Sequence, residues 1–188
     1  MTGAEPTVLG PIVTVEEFQA FTDAEDFTQY RLDQAIGAIR DYCGWHIAPS
    51  FRQTLVVDGN GRRTLLLPSL HVTDVHLVSE SGTILRIDDP TETEVGDVEW
   101  SQTGELVSGR PWTERKRAVL VDLTHGFPEI PDVVIGVVLD MVAQNLATQP
   151  DELPEKIGPF EWQGSQGGTA LSGAARAALA KYVVGGRA

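Results

Sequence analysis

Four histidines (His46, His71, His76 and His125) and a group of acids (Asp88, Asp89, Glu92, Glu94, Asp97 and Glu99) have side chains suited to metal binding or proton transfer. A zinc site needs three or four such ligands converging on one point. His71 and His76 are five residues apart on a predicted strand, and that odd step sends them to opposite faces. Glu94 and Glu99 are also an odd step apart, which argues against a paired-carboxylate mechanism. The acids lack the spacing of an EF-hand loop, and a run of acids between strands reads as a solvated loop. Cys43 falls on the apolar face of a predicted helix, where a thiol packs and does not react. Ser165, in Gly164-Ser165-Gln166-Gly167, lacks the spacing of a nucleophile elbow. The chain carries neither a Walker loop nor a dinucleotide fingerprint. The expectation is a protein that is not an enzyme, with no catalytic residue, cofactor or metal.

Composition points the same way. The chain has 188 residues with 41% hydrophobic content, enough for a real core, and reads as a single domain over 1–188. Lys and Arg number 14 against 27 Asp and Glu, for a formal net charge of -13. Nucleic-acid readers draw most of their affinity from cations placed on phosphates, and this surface repels them. The densest basic cluster, Arg115-Lys116-Arg117, reads as a solvated strand start. Such acidity suits a protein that stays soluble at high concentration or lets DNA slide past. Cys43 is the only cysteine, so an intrachain disulfide is excluded and an intracellular setting is expected. Met1 to Pro11 has no basic segment followed by an apolar one, so a secretory signal is not expected. The most apolar stretch, Val133 to Ala143, is interrupted by Asp140 and falls short of the roughly 20 residues a membrane span needs.

The elements that must position these residues fall into three blocks. Thr14-Val15-Glu16-Glu17 matches a capping box, with Val13 poised to staple against Phe18, and predicts a short first helix. A second helix follows, on which Leu32, Ala35, Ile36, Ile39 and Cys43 recur at helical spacing until Gly44 stops it. These N-terminal helices span 14–48. From 50 to 125 the residues alternate and are β-branched, predicting an antiparallel β-meander. Its expected turns are Asp58-Gly59-Asn60-Gly61, read as a hairpin, then Glu80-Ser81-Gly82 and Thr103-Gly104. Pro131 opens a run, over 131–148, that is apolar on nearly every face; its length favours a buried helix over a strand. The segment 155–188 is read as flexible, with a glycine-rich linker at 164–168 and a terminal helix over Ala174 to Val184 capped by Ser172. The fold class expected is α+β: a small helical bundle with an inserted β-meander and a hinged C-terminal helix. Trp45 and Trp112, the latter opening a strand, are read as core. Phe160 and Trp162 stand evenly between core and interface.

Ile39-Arg40-Asp41-Tyr42-Cys43-Gly44-Trp45-His46-Ile47-Ala48-Pro49, a helix ending before a strand that opens with an arginine, resembles the head-to-tail connector (adaptor) proteins of tailed bacteriophages. The likeness extends through Phe127-Pro128 to Pro131 and through Glu155-Lys156-Ile157-Gly158-Pro159-Phe160 to Tyr182. It implies a structural virion protein, made in the bacterial cytoplasm and placed at the head-tail junction. That protein would form a ring with itself, a dodecamer, beneath the portal protein. The ring would extend the DNA channel without sequence-specific binding, and would offer a platform to a stopper or tail-completion protein. In the family the C-terminal segment engages the portal. The interface candidates implied here are Phe160, Trp162, Leu171, Leu179, Tyr182 and Val183. Three alternatives remain: a tail-completion or neck protein bound to the tail tube, a metal-dependent hydrolase drawing on the acids and histidines, and a small-molecule-binding regulator, which would need a pocket.

Overall fold

The computed structural model describes residues 29–89, 91, 96–147 and 171–185. The predicted first helix, with its Thr14 capping box, lies outside them. The chain folds as two compact units: one holds Met1–Cys43 and Pro131–Lys181, the other Gly44–Ile130 and Tyr182–Ala188.

The first unit is helical. Its described elements are α1 (Gln29–Cys43), α2 (Asp132–Ala147), α3 (Gly173–Leu179) and a single 3-10 turn, Ala180–Tyr182, which runs into the second unit. The helical spacing of Leu32, Ala35, Ile36, Ile39 and Cys43 gives α1 one apolar stripe, and all five are buried. Burying each Leu or Ile side chain contributes about 1.5–3 kcal/mol. The α2 helix packs against both α1 and α3. It buries Val134, Val137, Val138, Met141 and Val142, while Ile135 and Leu139 are half-buried and Val133 is exposed. Apolar character all round therefore produces one deeply buried stripe with a partly open flank. Asp132 sits in the first turn, where a carboxylate complements the helix dipole. Ser172 caps α3, its hydroxyl accepting from the Ala175 amide at 3.1 Å. The terminal helix is shorter than its composition predicts. After Leu179 the backbone tightens, and the Ala180 N–H turns back to the Ala177 carbonyl.

The second unit is antiparallel β. Its strands are β1 (Phe51–Val57), β2 (Thr64–Leu66), β3 (Val72–Glu80), β4 (Thr83–Leu85), β5 (Val98–Trp100), β6 (Glu105–Ser108) and β7 (Val119–His125). They form a four-stranded sheet in the order β1-β7-β3-β4 and a three-stranded sheet in the order β2-β6-β5. Strict alternation in β7 turns Val119, Val121, Leu123 and His125 inward. Val119, Val121 and Leu123 join Val72, Val75 and Val78 of β3, and Leu65, Leu106 and Val98 of the smaller sheet, in a core shared by the two sheets.

The α+β class and the antiparallel insertion agree with the sequence. Only two sequential pairs are hairpins, β3-β4 around Ser81-Gly82 and β5-β6 around Thr103-Gly104. Asp58-Gly59-Asn60-Gly61 is not a hairpin, because β1 pairs with β7 and β2 with β6. Its polar groups bond elsewhere: Asp58 Oδ1 accepts from the Arg117 amide at 2.8 Å, and the Gly59 N–H donates to the Arg115 carbonyl at 3.0 Å. A Cβ on Gly59 would collide with the Thr113 carbonyl. The turn residues thus carry the chain from one sheet to the other beneath the 113–117 loop. Trp112 does not open a strand; it is buried in the loop before β7, with its indole N–H donating to the Arg63 carbonyl at 3.0 Å.

Candidate functional site

Among the described residues no group of three or more His, Cys, Asp or Glu is placed to hold a metal ion. Asp88, Asp89 and Asp97 serve the backbone around them. Asp88 Oδ1 accepts from the Gly96 amide at 2.7 Å, Asp97 Oδ2 from the Arg86 amide at 2.9 Å, and Asp89 Oδ1 from the amide and hydroxyl of Thr91. Those bonds from Thr91 hold the Asp89 carboxyl below its ordinary value. Glu92 and Glu94 lie outside the described residues.

His71 and His76 do lie apart, but not through strand alternation: His71 precedes β3, and the register of β3 shifts between Val72 and Asp74 and again between Val75 and Leu77. His71 stacks on Phe127 with ring centroids 4.2 Å apart, while His76 Nε2 lies 2.8 Å from the Thr124 hydroxyl. The Cys43 thiol is buried, and desolvation pushes it up to about 11, far from reactive thiolate character. Arg115, Lys116 and Arg117 are exposed, with Lys116 3.3 Å from Asp58.

One buried carboxylate went unread in the sequence. Glu80 ends β3 on its inner face, accepting from the Thr113 amide at 2.6 Å and pairing with Arg110 at 2.6 Å. Both of its oxygens are engaged in holding the 110–113 loop, so this charge is structural.

The interface candidates divide. Phe160 and Trp162 lie outside the described residues. Leu179 is fully buried in the helical unit. Tyr182 is buried in the β unit, where its carbonyl accepts from the Trp45 indole at 2.7 Å and its ring meets Phe127 edge-on at 6.0 Å. Leu171 and Val183 are half-buried. A second apolar surface escaped the sequence reading. On the outer face of the larger sheet, Val56, Leu120, Ser79 and Ile84 line up across all four strands. Val56 is 47% and Ile84 70% exposed. Only the strand register reveals this row, since its members come from four separate segments. Beside it, Arg52 clasps Asp122 with two bonds, Nε to Oδ1 at 2.9 Å and Nη2 to Oδ2 at 2.6 Å.

No family model matches the sequence, and no curated protein does. Solved structures do. Over 98% of this chain and 98% of the other, the fold is similar to a chain from the virion of a native gene transfer agent (GTA) particle, with a TM-score of 0.53 and 19% identity. The chain shares the fold of that GTA chain. Two more similar chains come from GTA necks. One, from the neck of an empty particle computed with C6 symmetry, is 17% identical with a TM-score of 0.48, covering 96% of this chain and 97% of that one. The other, from the neck of a native particle computed with C12 symmetry, is 19% identical with a TM-score of 0.44, covering 85% of each. Among the described residues, no helix is long and apolar enough to cross a membrane.

Proposed function

We propose that the chain is a structural virion protein of the head-tail junction, which assembles as a ring on the portal and joins head to tail. The observation that carries this reading is the end-to-end similarity, over 98% of both chains, to a protein of a GTA virion. The connector-like run Ile39 to Pro49 supports it independently. The net charge of -13 suits a lumen through which DNA passes, because an acidic wall does not hold phosphates.

In this reading the ring is a dodecamer whose C-terminal segment docks on the portal, and whose opposite side receives a stopper or tail-completion protein. Leu179 and Tyr182 are already packed within the chain and anchor the segment's end. Leu171 and Val183 are the described members of the set with surface left to bury. Repetition around a ring turns a weak contact at each subunit into a stable joint.

The test is co-sedimentation with purified portal rings from the same genome. The intact chain is expected to travel with the portal, and Phe160→Ala with Trp162→Ala to weaken that association at least tenfold while circular dichroism stays unchanged. If the double variant binds like the parent, Phe160 and Trp162 are not part of the portal contact. If it loses its folded signal, Phe160 and Trp162 belong to the core instead.

A further inference from the structure

Arg62, Arg63, Arg115, Lys116 and Arg117 come from two stretches of the β unit that the fold clips together. The Gly59 N–H donates to the Arg115 carbonyl at 3.0 Å, the Trp112 N–H to the Arg62 carbonyl at 2.9 Å, and the Arg117 N–H to Asp58 Oδ1 at 2.8 Å. These bonds use main-chain groups of the arginines, and all five cationic residues are exposed. The carboxylates beside them are Asp58, 3.3 Å from Lys116, and Glu114, whose side chain closes over Gly61. Five of the chain's 14 basic residues thus stand against two acids, in a chain whose net charge is -13.

The strand order sets this group opposite an acidic one. The outer strands are β1 and β4 in the larger sheet, β2 and β5 in the smaller. Residues 58–63 connect β1 to β2, so the cations mark one side of the two-sheet sandwich. Residues 86–97 connect β4 to β5 on the other side, where the Asp88 N–H donates to the Val98 carbonyl at 2.8 Å. Here the described acids Asp88, Asp89, Asp97 and Glu99 stand with a single cation, Arg86. Asp89, Asp97 and Glu99 are exposed. The bonds that Asp88, Asp89 and Asp97 accept engage one carboxylate oxygen each, which fixes the charge in place without cancelling it. Each side also exposes apolar side chains: Val56 of β1 and Leu66 of β2 by the cations, Ile84 of β4 by the acids.

We propose that these two sides are the halves of one contact between copies of this chain, the basic side of each copy docking on the acidic side of the next. The inference rests on the ring reading and names the surfaces that close the ring. A contact that joins two different patches repeats around a ring with every patch used. Copies that each carry -13 repel one another, so a stable contact between them must place opposite charges together. The apolar residues on both sides favour a protein partner over nucleic acid, since a phosphate backbone gives them nothing to pack against.

The test is sedimentation of the intact chain, alone and with purified portal rings, at about 50 mM and about 500 mM salt. The parent is expected to self-associate at the lower salt, in solution or on the portal, and more weakly at the higher. Arg62→Glu with Arg115→Glu, and separately Asp89→Lys with Glu99→Lys, should each weaken self-association about tenfold or more while circular dichroism stays unchanged. An equimolar mixture of the two variants should recover it, because each reversed side then meets a side of opposite sign. If either pair unfolds the chain, Arg115→Glu and Glu99→Lys alone make the same comparison. Variants that assemble on the portal like the parent, or a mixture that does not recover, would overturn this contact and leave the ring reading standing. A parent that self-associates at neither salt, in solution or on the portal, would overturn both. Binding of the parent to duplex DNA that is lost in Arg62→Glu with Arg115→Glu, with self-association unchanged, would make the basic side a phosphate contact instead.

Discussion

Trp112→Ala should destabilise the β unit by about 3–5 kcal/mol, the range for removing a large aromatic from a well-packed core. Trp112 is 2% exposed and lies within the core that the two sheets share. Its loss opens a cavity among neighbours from both sheets and leaves the Arg63 carbonyl without the indole N–H that now serves it at 3.0 Å. Trp112→Phe keeps much of the volume and should cost roughly half as much. Urea unfolding followed by circular dichroism measures both. Equal, small losses in the two variants would mean that the loop can expel residue 112 without disturbing the sheets.

Gly104→Ala should cost about 2–4 kcal/mol, the sum of a left-handed backbone unfavourable to Ala and a collision that must be relieved by moving main chain. Gly104 has φ 83, and a Cβ there would run into the Ser69 carbonyl. The same residue organises the β5-β6 turn: its N–H donates to the Ser101 carbonyl at 2.9 Å, and its own carbonyl accepts from Leu67 at 2.7 Å. Gly82→Ala separates the two causes. Gly82 has φ 88 with nothing within 4 Å of a Cβ, so only the backbone penalty of about 1 kcal/mol applies. Comparable melting temperatures for the two variants would refute the steric part of this account.

These two sites also show where sequence reasoning reaches. Periodicity located α1 through Leu32, Ala35, Ile36, Ile39 and Cys43, and length identified α2 despite its β-branched residues, because both signals are local. Thr103-Gly104 and Ser81-Gly82 were legible as turns for the same reason. Asp58-Gly59-Asn60-Gly61 misled because a turn-forming composition does not say what the flanking strands pair with. That choice depended on β7, whose Val119 lies opposite Val57 and more than fifty positions along the chain. The buried Glu80 was invisible for a related reason, since its partners Arg110 and Thr113 come from a distant loop. His46 and His125, whose ring centroids lie 4.4 Å apart, likewise come together from positions that spacing alone could not join.

The interface set was chosen on apolar character in a segment poor in regular signals. That criterion could not separate residues already committed to the chain from residues free to bind. Tyr182 illustrates this: an aromatic near the end of the chain, it is taken up by Trp45 and Phe127. The outer row of Val56, Leu120 and Ile84 shows the reverse, apolar residues inside predicted strands that end up on the surface.

The most direct test of the connector reading offers the intact chain, in parallel, to portal-bearing heads that lack it and to isolated tails from the same particle. The expected result is binding to heads, seen as a ring of density at the portal vertex by electron microscopy, with tail joining restored. Binding to isolated tails and not to heads would contradict it, and would make the chain a tail-completion protein.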